Sequence, residues 1–253
     1  MTRSIPHSLE SLLLASLHPS FGWLRWTQGV DLRHAARLQR LKDEGYLDGV
    51  THVIDAGANV GAYAKAMASV LPEATIHCFE PAPATFKRLR QNAARLRNVR
   101  AYNLALGAQP ATLPMFTSAL DEANSLLKST PILQDSWATT RITSQVQVEV
   151  ARLDDLLARE KAQGPFFIKI DVQGYEIELL KGATAALQQC VLLQIEVSLV
   201  PLYENAPMLP EVWEHLSRSG LKFLMFDDVL RSSRNQQPVS CDLYFYRPAQ
   251  PLI

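Results

Sequence analysis

From His52 to Leu106 the chain alternates short apolar runs with longer amphipathic ones, and this rhythm constrains the fold most. "HVIDA" (52–56), "TIHCFE" (75–80) and "VRAYNLAL" (99–106) read as three strands. Between them, a helical pattern from about Val60 to Val70 ends before Pro72, and "PATFKRLRQNAARL" (83–96) gives a second helix. Apolar runs without alternation belong to strands covered on both faces. A β-α-β-α-β order of such strands predicts a parallel sheet with right-handed crossovers.

The rhythm breaks after Gly107. "ATLPMFTS" (111–118) and "SQVQVEVARL" (144–153) alternate in the manner of strands and are expected to pair as a hairpin. The polar stretch between them, Ala119 to Thr143, reads as a lid or a mobile loop. "RLDDLLARE" (152–160) reads as a short helix, and "FFIKIDVQGYEIELLKGA" (166–183) as strand, turn and helix. "CVLLQIEVS" (190–198) is another buried strand, and "LPEVWEHLSRSG" (209–220) a helix closed by Gly220. "LKFLMFD" and "CDLYFYR" are strands joined without a helix, so the last is expected to run antiparallel. With 253 residues, 47% of them hydrophobic, a single α/β domain over 51–253 is expected. Residues 1–50 read as an N-terminal helical extension whose helix "LRHAARLQRLKDEG" ends at Gly45.

The loop after the first strand, "DAGANVG", limits the ligand. A dinucleotide fingerprint needs glycine at three positions, where this chain has Gly57, Asn59 and Ala62. No Gly-Lys-Ser/Thr follows, so a phosphate-cradling loop is also absent. Glu80, closing the second strand, suits the two hydroxyls of a ribose. The helix start after Asn59 offers unpaired N–H groups to a carboxylate, and Asp55 or the Gly57 carbonyl would suit an amino group. S-adenosylmethionine combines a ribose, an adenine and an amino-acid end. A nicotinamide-dependent oxidoreductase would also use Glu80, and a non-catalytic binding protein on this fold is a third reading.

Charge and composition narrow the partners. Lys plus Arg and Asp plus Glu are 25 each, which provides no net field for a nucleic acid. The basic stretch Lys87–Arg97 reads as the solvated face of a helix. Cys78, Cys190 and Cys241 lie in separate apolar runs and read as buried, reduced thiols, pointing to a cytoplasmic protein. The six histidines show no metal-ligand spacing, so no metal is expected. "LLLASL" (12–17) lacks a cationic leader and reads as neither signal peptide nor membrane span.

Taken in order, "VIDAGANVGAYA", "FEPAPATFKRL", "NLALG", "NSLL", "LDDLL" and "FIKIDVQGYEIELLKGA" resemble the FkbM-type S-adenosylmethionine-dependent methyltransferases from about Thr51 to Ser198. The resemblance implies the class I methyltransferase fold. That is a Rossmann-like three-layer sandwich around a mostly parallel seven-stranded sheet, with an antiparallel strand near one edge. It implies that Asp55, Gly57, Asn59 and Gly61 line the methionine part of the cofactor, that Glu80 takes the ribose, and that Asn103 and Ala105 hold the adenine side. The implied acceptor is a hydroxyl on a sugar or another small molecule. Asp171, ending the central strand, is the first candidate for a general base, with Lys169 on the same face as its partner. Lys169 and Asp171 also have a purely structural reading, as an ion pair, and Glu176 and Glu196 are further carboxylates near strand ends. Many members carry glutamate where this chain has Gln173. "DVQGY" lacks the Asn/Asp-Pro-Pro-aromatic loop frequent in amino-methylating enzymes, which leans towards oxygen. Asn124, Ser125, Trp137 and Arg141, all in the insertion, are the candidate acceptor contacts.

Overall fold

The computed structural model describes residues 31–248; the stretch Leu12–Leu17 lies outside them. The main sheet has the order β3-β2-β1-β7-β8-β10-β9. Its strands are β1 (His52–Ala56), β2 (Thr75–Phe79), β3 (Val99–Tyr102), β7 (Phe166–Ile170), β8 (Cys190–Ser198), β9 (Lys222–Arg231) and β10 (Pro238–Tyr246). Only β10 runs against its neighbours, pairing antiparallel with both β8 and β9. The seven-stranded, mostly parallel sheet and the direction of its last strand both match the expectation. A second, three-stranded sheet holds β4 (Ala105–Leu106), β6 (Ile142–Ala151) and β5 (Ala111–Ser118), in that order. Its β5–β6 hairpin pairs Ala111 with Val150 and Ser118 with Ile142.

Helices cover both faces of the main sheet. On one side lie α1 (Leu32–Asp43), α2 (Ala62–Val70) and α3 (Pro83–Ala93). They pack Leu38, Leu41, Met67 and Leu89 against Val53, Phe167 and Leu192 of the strands. On the other lie α5 (Leu153–Arg159), α6 (Glu176–Lys181), α7 (Thr184–Gln188) and α8 (Leu209–Arg218). They cover Ile54, Phe166, Ile168 and Ile195. Successive residues of one strand thus feed opposite cores, which is why these strands read as continuous apolar runs.

The first described helix, α1, is amphipathic. Asp31 caps it by accepting from the Arg33 N–H at 2.9 Å, and its buried stripe is Leu32, Ala35, Leu38 and Leu41. Each fully buried leucine contributes about 1.5–3 kcal/mol. Arg37 on the same helix forms ion pairs with Asp227 and Asp228 of β9, tying the extension to the far edge of the sheet.

Two expectations need correction. "VRAYNLAL" is not one strand. β3 stops at Tyr102, and the Asn103 side-chain amide donates to the Glu80 and Pro81 carbonyls at 2.9 and 2.8 Å. The chain then leaves the main sheet, and Ala105 and Leu106 pair with β6 in the smaller one. The insertion Ala119–Thr143 is not a bare loop either. It contains a turn of 3-10 helix at Asp121–Ala123, helix α4 (Pro131–Ser136), a second 3-10 turn at Ala138–Thr140, and the first two residues of β6. Thr130 donates its N–H to the Leu202 carbonyl at 2.9 Å, which fastens the insertion beside the segment after β8.

Candidate functional site

A cavity of about 280 Å³ opens outside the carboxyl ends of β1, β2 and β7, where open α/β sheets bind ligands. Its floor is built where β1 turns into α2. Gly57 has φ +76°, and a Cβ there would stand 1.8 Å from the Asp171 carbonyl oxygen. The turn therefore presses against the end of β7, and only glycine fits. Asn59 follows, also in the left-handed region at φ 47°, and its N–H donates to Glu80 Oε2 at 3.0 Å. The other Glu80 oxygen accepts from the Ala82 N–H at 2.9 Å. The carboxylate is thus fixed by two backbone donors at the cavity wall. Burial nevertheless raises its pKa to about 7, against those two donors.

Behind the cavity, polar side chains run across the strands in register. Asp55 is opposite Lys169, Lys169 opposite Gln194, and Gln194 opposite Tyr244. Two residues further on, Glu196 lies opposite Asp242. These are isolated polar residues in apolar strands, and all point to the side of α1 and α2. The Lys169 ammonium is 3.5 Å from Asp55 Oδ1 and 3.3 Å from Asp171 Oδ2, and it donates to the Gly57 carbonyl at 3.3 Å. Burial alone would lower the Lys169 pKa. Asp171 and Asp55 outweigh it and hold the group above the ordinary lysine value. Gln194 accepts from the Tyr63 hydroxyl, accepts from the Tyr244 hydroxyl at 2.8 Å, and donates to Asp242 at 2.8 Å.

The structure distributes the sequence candidates unevenly. Gly57, Asn59, Glu80, Ala105, Asn124, Ser125, Lys169 and Asp171 line the cavity together. Asp55 does not: it is 0% exposed, lies beneath the loop and faces Lys169. Gly61 is the N-cap of α2 at φ 84°, where a Cβ would meet Leu89 at 2.8 Å. Asn103 is exposed and braces Glu80 through the backbone, without reaching the cavity. Trp137 packs beside Leu133 and Tyr203, and neither it nor Arg141 lines the cavity. The insertion contributes through its first half only: Asn124 accepts from the Ser118 N–H at 2.9 Å, and Ser125 donates to the Gln173 carbonyl at 2.6 Å. Sequence reasoning missed His34, Tyr63, Tyr175, Gln194 and Asp242, which also line the cavity. Gln194 and Asp242 had a signal, a lone polar residue inside an apolar strand; His34 and Tyr63 had none.

The arrangement fits S-adenosylmethionine in its chemistry. Glu80 offers acceptor oxygens to a diol. Leu104, Leu106 and Met115 form an apolar wall beyond it for a base. The Gly57–Gly61 turn brings backbone, with no side chain at Gly57, to the cavity floor. Among the described residues no helix is long and apolar enough to cross a membrane.

Residues 55–223 match the family model described as the methyltransferase FkbM domain. Over 142 residues the chain is 30% identical to Methyltransferase 1 of Beauveria bassiana, covering 51% of this chain and 57% of that protein. It is 28% identical over 159 residues to the 2-O-methyltransferase NoeI of Sinorhizobium fredii, covering 60% and 65% respectively. The chain thus spans less than two thirds of the length of each relative. The magnesium protoporphyrin IX methyltransferase of Synechocystis, solved with bound cofactor, aligns with a TM-score of 0.47 at 12% identity, covering 98% of this chain and 100% of that one.

Proposed function

The chain belongs to the FkbM family of S-adenosylmethionine-dependent methyltransferases, and from that premise we propose that it methylates a hydroxyl oxygen on a sugar or a related small molecule. Residues 51–253 form the catalytic domain in this reading, with α1 attached to it. Family membership replaces the nicotinamide alternative. The three free, buried cysteines suit a reducing compartment, and we place the enzyme in the cytoplasm.

One observation carries the acceptor reading: Asp171 stands at the cavity with a side chain 38% exposed, both of its oxygens held from behind. Oδ2 accepts from Lys169 at 3.3 Å and Oδ1 from Gln173 at 2.6 Å. A carboxylate so oriented can take the proton of a hydroxyl as its oxygen attacks carbon. When bound, the cofactor supplies an electrophilic methyl carbon on a sulfonium. The chain supplies the rest: Glu80 for the ribose hydroxyls, the apolar wall for the adenine, and Asp171 to orient and deprotonate the acceptor. The lack of prolines in "DVQGY" and the 2-O-methylation named for NoeI both support transfer to oxygen.

The test is a screen of neutral sugars, amino sugars and polyketide-type alcohols with the wild-type protein, following S-adenosylhomocysteine release and locating the methyl group by fragmentation. A methyl ether is the expected product. A methyl group on nitrogen, or no transfer to any hydroxyl, overturns the reading. Asp171→Asn should then lower kcat about 100-fold, with the KM for the cofactor little changed.

Cofactor binding itself should depend on pH. An ionised Glu80 accepts from both ribose hydroxyls, whereas a protonated one loses an acceptor. Since its pKa is raised to about 7, the melting-temperature rise produced by S-adenosylhomocysteine should grow from pH 6 to pH 8. In Glu80→Ala the rise should be nearly abolished at both values. An undiminished rise in that variant would remove Glu80 from the site. Without ligand the sign reverses. The folded carboxyl keeps its proton above the ordinary glutamate value of 4.5, so its stabilising contribution is complete below that pH and is lost as pH rises towards 7.

A further inference from the structure

Gln173 stands between two carboxylates, and its single amide nitrogen serves both. Nε2 donates to Asp171 Oδ1 at 2.6 Å and to Glu196 Oε2 at 2.7 Å. The amide oxygen accepts from the Tyr203 hydroxyl at 2.7 Å. The flipped amide would set its oxygen against the Asp171 carboxylate, so the neighbours favour this orientation. Tyr203 is 2% exposed, so the hydroxyl that fixes the amide is itself fixed. The backbone is held equally firmly. Gln173 lies in the left-handed region at φ 53°, and its carbonyl accepts from Ser125 at 2.6 Å. Glu196 is anchored at its far oxygen by the Ser240 hydroxyl at 2.8 Å.

We propose that Gln173 is a positioning residue for methyl transfer: as a neutral double donor it clamps Asp171 against Glu196 and aims the Asp171 carboxylate at the acceptor. This rests on the reading of Asp171 given above. The charged and titratable groups around the clamp are Lys169 and Asp171 at the end of β7, Glu176 at the start of α6, Glu196 on β8, Tyr203 after β8, and Asp242 on β10. Lys169 is the only cation among these described groups, and it is already shared between Asp55 and Asp171. A carboxyl in place of the Gln173 amide would meet two others at hydrogen-bond distance. Such a group has one proton to donate, to one carboxyl at a time and only while it is protonated, so the clamp would become weaker and pH-dependent.

Three proteins decide the matter: wild type, Q173E and Q173A, assayed between pH 5.5 and 9 with an acceptor found in the screen above. Q173E is expected to lose about tenfold or more in kcat at pH 8, with its optimum moved about one unit or more towards acid and the KM for the cofactor within about twofold. Q173A should lose kcat by about tenfold at every pH, with no shift of the optimum. A Q173E profile superimposable on that of wild type, or a Q173A kcat equal to it, overturns the clamp. Thermal melts over the same pH range give a second readout that needs no acceptor. The melting deficit of Q173E should widen as pH rises, and a constant deficit overturns the clamp as well. A wild-type protein that methylates no hydroxyl sinks the acceptor reading alone, leaving the melts to judge the clamp.

Discussion

Lys169→Met should cost about 3–5 kcal/mol of stability, because it removes one partner of a buried ion pair and leaves the other in place. The stem of the side chain is kept, so the loss reports the charge. At a few degrees per kcal/mol for a chain of this size, the melting temperature should fall on the order of ten degrees. The pH dependence identifies the cause. Asp55 is 0% exposed, and among the described residues Oδ1 has no hydrogen-bond partner beyond its ion pair with Lys169, while its other oxygen has only the Cys78 thiol at 3.9 Å. Burial already raises its pKa, partly offset by Lys169. Without the ammonium it will hold a proton further still above the ordinary aspartate range. The deficit against wild type should therefore be small near pH 4 and grow as pH rises through neutrality. A deficit that does not vary with pH would show that Lys169 acts by packing alone. Asp55→Asn in the Lys169→Met background should recover part of the loss, since a neutral amide needs no counter-ion.

Gly57→Ala is expected to remove cofactor binding and to lower stability together. The added Cβ would lie 1.8 Å from a backbone carbonyl oxygen, which has no rotamer to escape into. A left-handed conformation costs an L-residue about 1–2 kcal/mol, and overpacking typically adds about 1–3 kcal/mol. The turn must move away from Asp171 to relieve the clash, and Asn59 and the Glu80 carboxylate move with it, through their 3.0 Å hydrogen bond. Calorimetric titration with S-adenosylhomocysteine should show at least about a 100-fold loss of affinity, or about 2.7 kcal/mol. Wild-type affinity in this variant would mean that the turn does not shape the site. Gly61→Ala makes the useful contrast. Its φ is 84°, but its added Cβ would meet a side-chain methyl of Leu89 and no backbone, so the binding loss should be smaller.

How far the sequence led can be seen at particular residues. The parallel strands were legible because their apolar runs serve two cores at once. The turn at Gly57 was legible because a strand, two glycines and a helix leave few conformations. Asp171 and Lys169 were found by counting along a single strand. What could not be found required knowing which strands are neighbours. β7 and β8 are joined by two helices and β8 and β10 by residues 199–237, so nothing local places Lys169 opposite Gln194 or Glu196 opposite Asp242. Asp55 shows the same limit. Its position at the end of a strand suggested contact with a ligand, but pairing with β7 turned it towards Lys169. Trp137 and Arg141 were chosen for chemical type within the insertion. The fold of that segment, fastened at Thr130 to Leu202, turns them elsewhere.

The antiparallel strand β10 has a consequence for assembly. Among the described residues it is the last strand in the chain, yet it is threaded between β8 and β9 and is not added at an edge. Until it arrives, β8 and β9 each present an unsatisfied row of N–H and C=O groups, and β9 exposes Phe226, Val229 and Leu230 beside them. Before β10 pairs, the chain therefore carries two open pairing edges. Asp242, which belongs to the polar belt behind the cavity, arrives with that same strand. Closure of the sheet and completion of the belt are one event, and a chain cut short before residue 238 would keep the cofactor turn while losing both.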